Sequence, residues 1–225
     1  MAEQIGRALG EATTVVNVGA GTGSYETADR AVVAVEPSAV MIGQRPGGSA
    51  PVVRAVAERL PFGDDAFDAA QAVLTIHHWT DVAAGLTEMA RVARRVVVLT
   101  FDPVVHKTFW FFEDYVPESN ALPSTNTLGP DAVAEVIGAD RIEVVPVPAD
   151  CVDGFNWAFW NRPRAYLDPE IRSCMSGVAL LDDALVARRM EQLRADLDDG
   201  TWERRYGYLL GLDSIDGGFR LVVRD

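Results

Sequence analysis

Residues 14–24 read TVVNVGAGTGS, and this stretch decides the fold. An apolar run ends in closely spaced glycines, the pattern of a buried parallel strand that turns sharply at its carboxyl end. The same pattern continues outward. Residues 31–36 (AVVAVE) form a second run, closed by an acid and Pro37; 51–56 (PVVRAV) form a shorter third, 69–76 (AAQAVLTI) a fourth and 95–101 (RVVVLTF) a fifth. Between the fourth and fifth, Asp81 stands as a cap before Val82, Leu86, Met89 and Val92, which recur at helical spacing. Strands alternating with helices predict right-handed crossovers and a doubly wound, mostly parallel α/β sheet.

The glycines at 19, 21 and 23 sit where the first strand is expected to pass into a first helix. A ligand can approach a backbone that lacks Cβ atoms, and a helix N-terminus offers unpaired N–H groups to an anionic group. Dinucleotide enzymes require G-x-G-x-x-G. That spacing fails here, because Ser24 stands where the third glycine is needed, and a nicotinamide dehydrogenase is disfavoured. Glu36, at the end of the second strand, is placed to accept two hydrogen bonds from ribose hydroxyls.

The second half reads differently. Residues 104–127 are aromatic and turn-rich, a helix is expected from Gly129 or Pro130 to Ile137, and 140–148 read as a strand. A helix is expected from Asp182 to Asp199, with Val186, Met190, Leu193 and Leu197 as its apolar stripe and Gly200 as its stop. Residues 218–224 read as the final strand. The rings at Phe109–Phe112 and Phe155–Trp160 are either core or a substrate lid; their place after the fifth strand and before the last favours the lid.

The composition narrows the function classes. The chain has 225 residues, 48% apolar and 24% charged, which suits one globular domain and excludes a mainly disordered chain. A net charge of −13 repels nucleic acid, so no nucleic-acid partner is expected. The amino-terminal MAEQIGRALGEATT lacks a long apolar run and does not read as a signal peptide, and the greasiest run, Val96 to Phe101, is too short to span a membrane. Two isolated thiols, Cys151 and Cys174, fit a reducing, cytoplasmic setting. No metal site is expected.

The segments VVNVGAGTGSYE, VVAVEPSAVMI, AERLPFGDDAFDAAQAVLTIHHW and LTEMARVAR followed by VVVLT resemble, in order and spacing, the class I S-adenosylmethionine-dependent methyltransferases. The resemblance is to the branch of quinone C-methyltransferases and small-molecule methyltransferases, and it covers roughly residues 13–103. It implies a seven-stranded Rossmann-like sheet with an antiparallel last strand and helical or aromatic lid insertions. One domain over 1–225 is implied, with a cofactor core over about 1–103 and substrate-side segments over about 104–127 and 152–213. Gly19, Gly21 and Gly23 would pack on the methionine and sugar of S-adenosylmethionine, and Glu36 would hold the ribose. Met41 would flank adenine or serve as a core methionine; Ala57 and Glu58 would line the adenine edge; Val73 to Thr75 would face the sulfonium. The family's usual acid at position 17 is here Asn17, an amide that accepts a hydrogen bond without charge attraction to the cofactor's ammonium group. Its frequent acid two places before Glu58 is here Val56, and its usual Pro-Gly-Gly is missing before the fifth strand.

Methyl transfer to a hydroxyl or acidic carbon requires a base. His77, His78 and His106 all follow carboxyl ends of expected strands, where open α/β sheets bind ligands. His77 and His78 are the base candidates, with a packing role as the other reading. Tyr25 and Glu26 would close over the cofactor or belong to a helix first turn. Asp102 would touch substrate or cap a turn. The acceptor expected is a small, partly apolar or aromatic molecule. A protein that binds the cofactor without transferring a methyl group is the alternative, suggested by Asn17 and Val56.

Overall fold

A computed structural model describes residues 1–121, 128–152 and 154–225. The run 122–127 and Asp153, both within the expected substrate-side segments, lie outside those residues. The chain forms two compact units: Met1–Asp102 with Thr125–Val145 and Phe219–Asp225, and Pro103–Ser124 with Pro146–Gly218.

The strands are β1 (Thr14–Val18), β2 (Ala31–Val35), β3 (Val52–Val53), β4 (Phe67–Val73), β5 (Ala93–Phe101), β6 (Arg141–Val144), β7 (Val147–Pro148), β8 (Ser214–Ile215) and β9 (Phe219–Arg224). Seven of them build the sheet of the first unit, in the order β3-β2-β1-β4-β5-β9-β6. Strands β1 to β5 pair in parallel, and β9 runs antiparallel to both β5 and β6. This is the seven-stranded Rossmann-like sheet that the sequence implies. One face carries Val16, Val18, Ala70, Ala72, Val96 and Val98. Against it lie Leu86 and Met89 of the helix Val82–Val92, and Val133 and Ile137 of the helix Pro130–Ile137. Each fully buried side chain of this size contributes about 1.5–3 kcal/mol. The Asp81 carboxylate accepts from the Ala84 N–H at 3.0 Å, the cap that the sequence marks.

Three local expectations are corrected. No helix follows β1; Gly19–Arg30 runs through turns and bends. Gly19, Gly21 and Gly23 adopt φ of +70°, +54° and +91°, which no right-handed helix allows. The stretch GAGTGSYETADR also lacks an apolar stripe to bury. The third strand is shorter than 51–56, because Pro51 has no N–H for the ladder and β3 lies at the sheet edge. The strand expected over 140–148 breaks at Pro146. Its first part, β6, stays in the large sheet, whereas β7 pairs with β8 in the second unit.

Asp68 ties β1 to β4. Its Oδ2 accepts from the Thr13 hydroxyl at 2.7 Å and from the Thr13 N–H, Thr14 N–H and Thr14 hydroxyl at 3.0 Å each. These donors, the Thr13 hydroxyl foremost, hold its carboxyl well below the ordinary range. A depressed folded-state pKa gives stability that is present above the unfolded value of about 4 and is lost as pH falls further. Asp68→Asn is therefore expected to lower the melting temperature at pH 7, with a gap to wild type that narrows at pH 3. Thermal melts at the two pH values check this, and an equal gap at both would contradict it.

In the second unit the aromatic side chains pack on one another. Phe109 stacks on Trp157 with centroids 4.3 Å apart, and Phe111 on Tyr166 at 4.4 Å. Trp110 donates from Nε1 to the Trp160 carbonyl at 2.9 Å, and Trp160 donates to that of Val147 at 3.2 Å. Phe109–Phe112, Trp157 and Trp160 are all buried, so these six rings form core of that unit. The helix Asp183–Asp198 is capped by Asp182 and buries Val186, Met190 and Leu193, with Leu197 half-buried. Gly200, at φ +78°, marks its end.

Candidate active site

The strand order reverses between β1 and β4, and a crevice opens there at the carboxyl ends of the strands. It is a cavity of about 660 Å³. Of the expected site residues, Asn17, Gly19, Gly21, Glu36, Met41, Ala57, Glu58, Val73 and His78 line it. Gly23 and His77 are not among the lining residues.

The glycine turn is held by its own backbone. The Gly19 and Ala20 N–H groups both donate to the Val35 carbonyl, at 2.9 and 3.0 Å. The Gly21 N–H donates to Glu36 Oε2 at 2.9 Å, and the Gly23 N–H to the Ala20 carbonyl at 2.9 Å. The unpaired N–H groups expected here are thus engaged at these four positions, because the helix that would have left them free does not form. The lining contains no lysine or arginine, and its acids are Glu36 and Glu58. Such a pocket suits a ligand with hydroxyls and positive charge and disfavours a pyrophosphate.

Glu36 is buried, and its second oxygen accepts from the Ser38 N–H at 2.8 Å. Gly19 packs against Thr75, which is also buried; a Cβ at 19 would overlap the Thr75 hydroxyl and lie 2.8 Å from its methyl carbon. Thr75 reaches that position because Leu74, at φ +50°, turns the chain out of β4. A left-handed leucine is strained, and strain of this kind gathers at ligand sites. Gln71, buried on β4, donates to the Tyr25 carbonyl at 3.1 Å and sets Tyr25 on the cavity wall. Met41 is 37% exposed on that wall, which removes the core reading of this residue. Glu58 Oε1 accepts from the Thr80 and Asp81 N–H groups at 2.8 and 3.1 Å, fastening the loop between β3 and β4 to the segment after β4.

His77 and His78 follow β4 with ring centroids 3.9 Å apart, and His77 lies 5.5 Å from Phe101. His78 stands at the exposed rim of the cavity. Partial desolvation lowers its pKa from the ordinary imidazole value, and the Glu36 charge opposes the shift. His106 belongs to the second unit, 5.8 Å from Phe112 and 3.2 Å from the Asn156 side-chain nitrogen. Burial pushes its pKa down to about 4.

Sequence reasoning missed Trp79 and Thr80 on the wall. A signal was present: Gly85 interrupts the apolar stripe of the helix Val82–Val92. A Cβ there would lie 2.5 Å from the Trp79 ring. The gap in the stripe is the seat of that ring.

The family described as "Methyltransferase domain" matches residues 16–101. A demethylmenaquinone methyltransferase of Mycolicibacterium vanbaalenii is 32% identical over 162 residues, covering 70% of this chain and 67% of that one. One from Mycobacterium sp. strain KMS is 30% identical, covering 69% and 71%. The crystal structure of a putative methyltransferase from an antibiotic biosynthesis pathway of Anabaena variabilis superposes with a TM-score of 0.86 at 32% identity, covering 99% of this chain and 96% of that one. The chain belongs to the class I S-adenosylmethionine-dependent methyltransferases. Within them it falls in the quinone-methyltransferase-like branch, and it is a methyl-transferring enzyme. Among the described residues, no helix is long and apolar enough to cross a membrane, and no group of three or more His, Cys, Asp or Glu is placed to hold a metal ion.

Proposed function

We propose that the cavity holds S-adenosylmethionine and that the enzyme methylates a small, partly apolar or aromatic acceptor through an oxygen, nitrogen or carbon nucleophile. One observation carries the cofactor reading: the glycine turn's N–H groups at Gly19, Ala20 and Gly21 are already engaged, Glu36 stands beside them and no lysine or arginine lines the cavity, which leaves no seat for phosphate. The residues present fit the cofactor. When bound, it supplies an electrophilic methyl carbon on a sulfonium. Glu36 accepts from the ribose hydroxyls on the lone pairs that Gly21 and Ser38 leave available. Ala57 and Glu58 border adenine, with Met41 on its face. Gly19, Gly21 and Val73 line the reacting side. Gly23 supports the turn without lining it. Asn17 accepts from the ammonium end without contributing charge.

His78 is the base for acceptors that must lose a proton. It is held neutral at pH 7, so its free ring nitrogen takes the proton as the acceptor attacks. His77 orients it by ring contact. The relatives named demethylmenaquinone methyltransferases make demethylmenaquinone the first acceptor to try, beside phenols and amines.

Titration with S-adenosylmethionine, its demethylated product and NAD tests the cofactor reading; the first two are expected to bind and NAD is not. Labelled cofactor with the acceptor panel tests turnover, and binding without transfer to any acceptor would return the chain to the non-catalytic alternative. His78→Ala is expected to leave cofactor affinity within about threefold while kcat falls by about 100-fold, the scale of general-base catalysis. Wild-type kcat is expected to decline as pH falls below the ordinary imidazole range and His78 gains its proton. A variant with undiminished kcat would remove His78 from the mechanism.

A further inference from the structure

Gly19–Arg30 has no helix behind it, yet the turn must keep one shape to form the cavity wall. The structure supplies a substitute. Arg45 and Glu26 form an ion pair with side chains only 5% and 8% exposed. Arg45 Nη2 donates to both Glu26 oxygens, at 2.6 and 2.8 Å, and to the Ala50 carbonyl at 3.1 Å. Glu26 Oε2 accepts in turn from the Ala50 N–H at 3.0 Å. Arg45 Nη1 donates to the Gly21 carbonyl at 3.2 Å. Gly21 is therefore gripped at both polar atoms, its N–H by Glu36 and its carbonyl by Arg45. Gly23 has its glycine for the same reason: a Cβ there would lie 3.1 Å from Glu26 Oε2 and 3.2 Å from Arg45 Nη1. Neither Arg45 nor Glu26 lines the cavity.

We infer that the buried Arg45–Glu26 pair is the positioning device of the cofactor turn, taking the place of the missing helix. The inference rests on the reading that the cavity takes S-adenosylmethionine. A guanidinium suits the task better than an ammonium. Its planar fork reaches a carboxylate and two carbonyls at once, whereas a lysine ammonium is a compact point charge. The pair sets where Gly21 lies and so acts on the cofactor through the backbone, without touching it.

The test measures dissociation constants for S-adenosylmethionine and S-adenosylhomocysteine by calorimetry on the full chain, below each variant's melting temperature. Arg45→Met is expected to weaken both ligands about tenfold, because small misplacements of a positioned group are costly. Arg45→Lys, which keeps the ion pair but not the fork, is expected to recover part of that loss. Ile137→Ala, in the core of the same unit and away from the cavity, is expected to lower the melting temperature with unchanged affinity. Where Arg45→Met does not fold, Glu26→Gln gives the same reading at smaller amplitude. Unshifted affinity in the Arg45 and Glu26 variants, with wild type binding normally, overturns this inference alone. Wild-type protein that binds neither ligand overturns the cofactor reading, and this inference with it.

Discussion

Gly19→Ala is expected to reduce affinity for S-adenosylmethionine by about 100-fold or more, the scale of a 1 Å displacement at a reacting centre. Two costs act together. Gly19 adopts φ +70°, a left-handed conformation that costs an alanine about 1–2 kcal/mol. The new Cβ also overlaps the side chain of Thr75, and overpacking a filled site costs about 1–3 kcal/mol. Thr75 is buried and follows a strained Leu74, so it has little room to give. The turn itself must move away from β4, carrying the cavity wall with it. Calorimetric titration checks the result. Gly47→Ala is the companion, since nothing lies within 4 Å of a Cβ there, and its affinity is expected to match wild type. An alanine at 19 with wild-type affinity would mean that the turn does not face the cofactor.

The second large effect is at Glu36. Its two oxygens accept from two N–H groups, of Gly21 and Ser38, and neither neighbour can accept a hydrogen bond in return. Glu36→Gln keeps the shape but turns one acceptor into a donor that faces an N–H, and it removes the charge. Losing a hydrogen bond to a charged group costs about 1.5–3 kcal/mol, so affinity for S-adenosylmethionine and for its product is expected to fall about 10- to 100-fold. The melting temperature is expected to fall as well, because the clasp between β2 and the glycine turn is weakened. A variant that loses stability but keeps its affinity would leave Glu36 as a structural clasp and remove the ribose from it.

Much of the first unit was legible because its signals are local. Apolar runs at 14–18, 31–35 and 95–101 become strands whose valines, Val16, Val18, Val35, Val96 and Val98 among them, are buried in one core. Asp81 and Pro130 mark helix starts through chemistry that needs no tertiary context. The glycine turn and Glu36 were legible as a site because their spacing is set by β1 and β2, which lie side by side. What escaped depends on distant partners. The helix after β1 was expected from the fold's habit, but its residues have no apolar stripe, and the Arg45–Glu26 pair that replaces it joins positions far apart in the chain. Trp79 was hidden because its seat is an absence, the missing side chain of Gly85. The rings of the second unit read as a lid more than as core, because composition carries no contacts; the burial of Phe109–Phe112, Trp157 and Trp160 and the stacking of Phe109 on Trp157 show them as core within that unit.

The account stands on the glycine turn and Glu36 acting together as the seat of an adenosyl group. A crystal structure of the enzyme with S-adenosylhomocysteine tests this most directly. The account predicts ribose hydroxyls on Glu36 and the sulfur beside Gly19 and Thr75; a nucleoside seated elsewhere, or density absent from this cavity at saturating ligand, would contradict it.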